Sequence, residues 1–173
     1  DDVSTRALTM QLPALGKPSY MRTARNKTPV LYDGRENEIQ IGKGITLKEG
    51  SDVAIVACGV LVSESLKAAD ALAEEGINAT VVDMHTLKPI DGALIDSIVK
   101  RCGALVTAED HNVIGGLGSA VAEHLVANTF APLEMVGVQD RFGESGQADE
   151  MLEVMQISAH YIALAAKKAI SRK

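Results

Sequence analysis

The chain has 173 residues, 46% of them hydrophobic and 23% charged, as expected for one folded domain with a sizeable core, or for one domain plus a fragment. This composition excludes a disordered, collagen-like or coiled-coil chain. The net charge of −6 argues against nucleic-acid binding. No apolar run approaches the length of about 18 residues that a membrane-spanning helix needs, and no signal peptide opens the chain, so we expect no membrane association.

The first 37 residues differ in pattern from the rest. Residues 1–15 predict a helix, capped by Ser4 or Asp2 and ended by a Gly-Lys-Pro sequence. Residues 19–24 predict a strand. A stretch rich in turn-forming residues, 26–37, predicts a linker. We interpret this helix and strand as the tail of a preceding domain.

The remaining chain alternates strands and helices, which predicts parallel strands, right-handed crossovers and a three-layer α/β/α sandwich with a mostly parallel sheet. Residues 38–48, with weak alternation and two glycines, predict a short edge hairpin. Predicted strands then cover 53–58, 77–84, 104–108 and 133–138. Predicted helices cover 60–75, 92–101 with Asp91 as cap, 117–128, a short stretch after residue 146, and a final helix capped by Ser158.

Two cysteines adjoin apolar runs, Cys58 and Cys102. Neither has the CxxC spacing of a metal site. We expect both to be buried, reduced thiols, which suits a cytoplasmic protein.

The stretch 104–121 joins an apolar run to a glycine-rich turn and a helix start, which is how α/β proteins build ligand-binding edges. One interpretation is a dinucleotide site, because Gly116 and Gly118 begin like a GxGxxG fingerprint. Val121 stands where the third glycine belongs, however, and the stretch follows the third strand of the regular run, not its first. We therefore favour glycines that allow close packing of the helix on the sheet.

Glu109, Asp110 and His111 follow the same predicted strand, at the edge where α/β proteins place active sites. No nucleophile is paired with them, since Ser119 lies inside a helix and not on a GxSxG elbow. Two acids and a histidine are metal-ligand types, but adjacent residues at a strand end point in different directions. The pattern favours a structural or interface use, with direct catalysis as the alternative.

Arg22 and Arg25 lie in the basic part of an acidic chain, because residues 1–30 hold five of the 17 basic residues and two of the 23 acidic ones. On a strand, residues three apart face opposite sides, so only one of the two is expected to point into a given cleft. Arg25, where the strand enters a loop, is better placed to bind a phosphate or carboxylate. The alternative is an ordinary surface arginine.

Four stretches, together with their order along essentially the whole chain, closely resemble the C-terminal part of transketolase. They are YMRTAR at 20–25, VVDMHTLKPID at 81–91, VTAEDHNVIGGLGSAVAEHL at 106–125 and VQDRFGESGQADEML at 138–152. The corresponding domains of deoxyxylulose-phosphate synthase and of the 2-oxoacid (pyruvate) dehydrogenase beta subunit share the layout but fewer of these residues.

The resemblance implies a thiamine-diphosphate enzyme that moves two-carbon ketol units between sugar phosphates. In that family two preceding domains hold the cofactor and its divalent metal, one through a motif that begins Gly-Asp-Gly and the other through a glutamate. Neither motif occurs in these 173 residues. The resemblance therefore implies that this segment contains no catalytic residue and no metal ligand, that the chain is inactive alone, and that it works with the remaining transketolase domains or subunit.

The resemblance also implies a domain division, with 1–32 as the tail of the pyrimidine-binding domain and linker and 33–173 as the transketolase C-terminal domain. The family's substrate-phosphate arginine maps onto Arg25, with Ala24 in place of a common serine. The C-terminal domain of the family mainly supports a homodimer, which assigns the corner at 104–121 to packing and subunit contacts. An exposed glycine-rich helix N-terminus is also a candidate anion site. The candidate corner residues are Glu109, Asp110, His111, Gly115, Gly116 and Gly118.

A free-standing α/β binding or regulatory module is the alternative from a different class of protein. The related thiamine-diphosphate enzymes named above are a second alternative. The chain opens without methionine and within a predicted domain, so we expect a truncated or proteolysed product rather than a naturally split subunit.

Overall fold

The computed structural model describes residues 1–25 and 27–173, which build a five-stranded sheet in the order β1-β3-β2-β4-β5. Strands β3, β2, β4 and β5 are parallel to one another, and the edge strand β1 is antiparallel to β3. Every residue of β2 and β3 is buried, as expected for central strands covered on both faces. The predicted mostly parallel sheet is confirmed. The strands are β1 Ile45–Lys48, β2 Val53–Ala57, β3 Ala79–Asp83, β4 Leu105–Asn112 and β5 Leu133–Val138.

Helices cover both faces of the sheet and produce the predicted three layers. One face packs against α2 and α6 and the other against α3 and α4, through cores made mainly of Ala, Val, Ile and Leu. No helix within 1–25 and 27–173 is both long enough and apolar enough to cross a bilayer. The helices are α1 Asp2–Gln11, α2 Leu61–Glu74, α3 Gly92–Cys102, α4 Leu117–Asn128, α5 Ala148–Val154 and α6 Ala159–Ile170.

The predicted edge hairpin over 38–48 is wrong. A short 3₁₀ turn at Glu36–Glu38 precedes the single strand β1, which pairs with β3 with Ile45 opposite Asp83. The weak alternation was sufficient for one strand. Its partner is the free edge of β3, so the pairing is long-range and not with a neighbouring segment of the chain.

The N-terminal segment also differs from the prediction. Helix α1 ends at Gln11 and continues as a 3₁₀ helix, Leu12–Leu15, that ends at Gly16, so the helical stretch extends to residue 15 as predicted. The N-cap of α1 is Asp1 and not Ser4 or Asp2, because the Asp1 carboxylate accepts a hydrogen bond from the Ser4 N–H at 2.8 Å. The Ser4 hydroxyl completes this capping box by accepting from the Asp1 ammonium at 3.0 Å. Residues 18–24 form no strand. A strand needs a neighbour to complete its hydrogen bonds, and none of the five described strands pairs with this segment.

Helix α1 packs at the β1 edge of the sheet. Its apolar side chains contact a small core formed by Tyr32, Ile39 and Ile45. The Gln11 amide adds two hydrogen bonds, donating to the Ile39 carbonyl at 2.8 Å and accepting from the Ile41 N–H at 3.0 Å. The division at residue 32 stays a prediction, although Tyr32 itself is buried among residues that follow it.

Candidate functional site

Strand β4 is longer than predicted and carries the three titratable residues within it. The predicted end at residue 108 is wrong because β5 continues to pair with β4 beyond an irregularity, as far as Asn112 opposite Val138. Along this extension Glu109 is 1% exposed, whereas Asp110 and His111 are exposed. The buried and exposed residues therefore have different roles, although they are consecutive in the sequence.

The Glu109 carboxylate occupies the N-terminus of α4. One oxygen accepts a hydrogen bond from the Leu117 N–H at 2.7 Å and the other accepts one from the Gly118 N–H at 2.8 Å. The negative charge also lies at the positive end of the helix dipole. An external anion at this corner would have to compete with this internal carboxylate for the same two N–H groups.

Close packing explains the two glycines that begin α4. A Cβ atom at Gly116 would overlap the Glu109 carboxylate, and one at Gly118 would lie 2.9 Å from the Met135 sulfur. Backbone and carboxylate can approach this closely only when no side chain intervenes. This geometry supports the interpretation that these glycines allow close packing. It does not favour the alternative of a dinucleotide site.

His111 and Ser119 do not form a nucleophile–base pair. His111 Nδ1 lies 2.8 Å from the carbonyl oxygen of Asn112 and 3.7 Å from a Glu109 oxygen that already accepts a helix N–H. The Ser119 hydroxyl accepts a hydrogen bond from the Gly115 N–H at 2.8 Å. It also donates to the Val113 carbonyl at 3.2 Å. Both side chains bond to nearby backbone, so the corner shows a structural network and the catalytic alternative gains no support.

Arg22 and Arg25 line one cavity of about 180 Å³ between the N-terminal segment and the carboxyl edge of the sheet. The expectation that only one of them faces a given cleft is wrong, because this segment is not a strand and its side chains do not alternate. Arg22 Nη2 donates a hydrogen bond to the carbonyl oxygen of Asp110 at 2.7 Å. The other lining residues are Thr23, Ala24, Gly59, Val60 and Asp110.

A buried Tyr32–Asp83 pair at the end of β3 was not predicted. The Tyr32 hydroxyl donates to Asp83 Oδ2 at 2.7 Å, and Asp83 Oδ1 has no partner among the described residues. Burial raises the pKa of Asp83 from 3.8 to about 6, although the Tyr32 hydrogen bond opposes this rise. In the sequence, Asp83 directly follows two apolar residues of the predicted strand, 81 and 82. A charged residue at the end of a buried strand was the signal from which this pair could have been suspected.

We expect Asp83 to make stability fall with rising pH. Because its native pKa of about 6 exceeds the usual 3.8, its stabilising contribution is complete below pH 3.8 and is lost as pH rises through 6. The difference corresponds to about 3 kcal/mol. Urea denaturation measures the free energy of unfolding. Between pH 4 and pH 8, that of Asp83→Asn should rise relative to that of the wild type by about this amount.

Tyr32→Phe provides the opposing variant. Loss of the hydroxyl donor should raise the Asp83 pKa further, so the pH-dependent loss of stability should extend to higher pH. The exposed Tyr20 supplies the control, since Tyr20→Phe removes a hydroxyl at a solvated position. A wild-type profile parallel to that of Asp83→Asn would contradict the assignment.

Neither thiol offers a reactive site. Burial, with the Glu109 and Asp83 charges as smaller causes, raises the pKa of Cys58 to about 12. Both cysteines are free thiols. Cys102 is buried, and Cys58 is partly exposed at the surface.

The described residues contain no metal site of the usual kind. Among residues 1–25 and 27–173, no three His, Cys, Asp or Glu side chains converge as they would around a metal ion.

The fold and these contacts define an α/β domain that is joined to a basic N-terminal segment, and a structural network occupies its glycine corner. The family model described as the transketolase C-terminal domain matches residues 42–162. The chain belongs to this family.

Similarity extends over the whole chain. A 6-deoxy-6-sulfo-D-fructose transketolase subunit from Clostridium sp. (strain MSTE9) is 43% identical over 173 residues, which are 100% of this chain and 53% of that protein. A 1-deoxy-D-xylulose-5-phosphate synthase from Geobacter sulfurreducens is 40% identical over 143 residues, 82% of this chain and 22% of that enzyme. The chain thus spans about half the length, or less, of these curated relatives.

A solved structure described as a split-gene transketolase in an inactive beta4 tetramer superposes with a TM-score of 0.95 and 43% identity. The match covers 99% of this chain and 56% of that one. It includes the N-terminal segment as well as the sheet domain.

Proposed function

We propose that this chain is the C-terminal part of a thiamine-diphosphate-dependent transketolase that moves two-carbon ketol units between sugar phosphates. In this role it contacts the substrate phosphate through Arg25 and supplies scaffold and subunit surface. Family membership supports the enzyme class. The observation that carries the substrate role is the cavity at the carboxyl edge, which Arg22 and Arg25 of the basic N-terminal segment line.

An arginine suits this role because its guanidinium stays charged and presents paired N–H donors that match two phosphate oxygens. Arg25 is exposed at the cavity, so a phosphate can reach it without displacing packed side chains. The cavity lies at the carboxyl ends of the parallel strands, where open α/β sheets bind ligands. We assign Arg25 to substrate binding and no residue of this segment to catalysis.

Thiamine diphosphate, when bound in the complete enzyme, supplies the stabilised carbanion chemistry of ketol transfer. The described residues contain no cluster of metal-ligand side chains that would fit its divalent metal. We therefore propose that other domains or a second subunit hold the cofactor and metal, and that the chain alone is inactive. One relative is described as a transketolase subunit and another as a split-gene transketolase. These descriptions support the proposal that the partner of this chain is a separate chain. The homodimer and the cytoplasmic location stay predictions.

Arg25→Ala in the complete enzyme is expected to raise KM for phosphorylated sugars by about tenfold to a hundredfold, the equivalent of one or two charged hydrogen bonds. KM for unphosphorylated analogues should change little. Steady-state kinetics with matched sugar pairs measures the difference. Arg101→Ala is the control, since Arg101 pairs with Glu49 on the surface at 3.2 Å. Equal effects on both substrate types would refute the phosphate role.

A second candidate is the C-terminal domain of a deoxyxylulose-phosphate synthase, favoured by the 40% identity to the Geobacter enzyme. Both candidates use phosphorylated sugars, so Arg25 does not separate them. Parallel assays of the complete enzyme with a ketose phosphate donor and with pyruvate would do so. The free-standing binding module would be favoured by two results together. The complete protein would show no activity with either substrate, and neither it nor this chain would bind thiamine diphosphate.

A further inference from the structure

Residues 18–25, the stretch that carries Arg25, are joined to the sheet domain by Arg22. Residues 18–24 have no ladder of backbone hydrogen bonds to a strand. Arg22 Nη2 bonds at 2.7 Å to the Asp110 carbonyl, 88 residues away in the sequence. The contact from the Thr9 hydroxyl to the Met21 sulfur at 3.6 Å joins this stretch to α1 and not to the sheet, and it uses a weak acceptor. The guanidinium therefore provides the charged anchor of this segment.

The acceptor of this hydrogen bond lies between residues that are hydrogen-bonded to other elements. Immediately before Asp110, the Glu109 carboxylate is bonded to two N–H groups of α4. Shortly after it, the Asn112 side chain donates to Asp140 at 2.9 Å and the Val113 N–H donates to the Val138 carbonyl at 3.1 Å. These hydrogen bonds on either side restrict the position of the Asp110 carbonyl, to which the Arg22 side chain attaches.

We propose that Arg22 is a positioning residue, which holds the N-terminal segment so that Arg25 lies at the cavity where the substrate phosphate binds. This inference rests on the proposed phosphate role of Arg25. Arg22 lies three residues before Arg25 in the sequence, and its guanidinium donates a hydrogen bond to the Asp110 carbonyl. Its effect on substrate binding passes through Arg25, because the bond limits the positions that the following three residues can occupy.

Kinetics of the complete enzyme test this order of action. Arg22→Ala should raise KM for phosphorylated sugars by about two- to tenfold, the value of one partly solvated hydrogen bond, and leave kcat within about twofold. Arg22→Lys keeps a donor and should restore part of the loss. In the Arg25→Ala background, Arg22→Ala should add no further increase. A full additive increase would mean that Arg22 binds phosphate directly and would overturn the positioning role.

Hydrogen exchange on the complete enzyme without substrate provides a second readout. Peptides that cover residues 17–25 should exchange at least about fivefold faster in Arg22→Ala, because the anchor of the segment is lost. Asp110→Ala should leave exchange unchanged, since the acceptor is the backbone carbonyl and remains. Unchanged exchange in Arg22→Ala, or faster exchange in Arg101→Ala to the same degree, would overturn the inference.

The two proposals fail in different ways. If Arg25→Ala changes no KM, the phosphate role of Arg25 is refuted, and with it the effect of Arg22 on substrate, whereas the exchange experiment still reports whether Arg22 anchors the segment. If Arg25→Ala behaves as expected and Arg22→Ala changes neither KM nor exchange, the positioning role alone is refuted.

Discussion

Glu109→Ala is expected to lower the free energy of unfolding by about 3–5 kcal/mol, the largest single loss that we predict. Glu109 is 1% exposed and accepts hydrogen bonds from the Leu117 and Gly118 N–H groups. The alanine variant would leave both donors buried without partners, remove a negative charge from the helix N-terminus and open a cavity. Guanidinium denaturation of the purified protein measures the loss.

Two variants define the cause of that loss. Glu109→Gln keeps the shape and one acceptor oxygen but no charge, so it should fall between the wild type and Glu109→Ala. Asp110→Ala removes the exposed neighbouring carboxylate and should change stability by about 0.5 kcal/mol or less. A loss below about 1 kcal/mol in Glu109→Ala would show that water replaces the carboxylate at the helix end.

Gly116→Ala is expected to destabilise the protein by about 2–3 kcal/mol, because its methyl group would occupy the space of the Glu109 carboxylate. The carboxylate would have to leave at least one of its two helix N–H groups. The effect should be strongly non-additive with Glu109→Ala, since removal of the carboxylate makes room for the methyl group. Denaturation of both single variants and the double variant gives the coupling energy.

Gly143→Ala is the matched control for this prediction. Gly143 lies in the loop before α5, and no atom lies within 4 Å of the position that an added methyl group would take, so the same substitution meets no neighbour there. Additive losses for Gly116→Ala and Glu109→Ala would indicate that the glycine is needed for its backbone conformation and not for space. Its φ of −100° is accessible to alanine, which is why we expect coupling instead.

These contacts connect the core of the domain to the proposed substrate site. Glu109 ties β4 to α4, the next carbonyl along β4 accepts the Arg22 hydrogen bond, and Arg25 follows on the same segment as Arg22. Through this connection, a corner with no catalytic pair can affect substrate binding by fixing the position of Arg25, the arginine that we propose binds the substrate phosphate. This is consistent with structural use of the corner, as favoured from its residue pattern.

Much of the fold followed from local patterns. A continuous apolar run marked β2. The strand at 133–138 has the predicted bounds, and the helix predicted from Gly116 or Leu117 to Asn128 begins at Leu117. The errors share a physical cause. The predicted strand at 19–24 has no described neighbour to pair with, and β1 pairs with a strand far along the chain instead of folding back as a hairpin. Strand pairing depends on what lies beside a segment, which a local pattern does not specify.

The sequence by itself determined the α/β class, the mostly parallel sheet and the family, and it singled out Arg25 as a candidate phosphate-binding residue. It could do so because strand–helix alternation and sequence motifs are local properties of the chain. Only the tertiary structure decided what the polar residues do. Glu109 and His111 are both titratable and two residues apart, yet one caps α4 and the other is exposed. The Arg22–Asp110 bond joins residues 88 positions apart, and the Tyr32–Asp83 bond joins residues 51 positions apart. Hydrogen bonds over such separations form only when folding brings the two groups together, so no spacing rule predicts them.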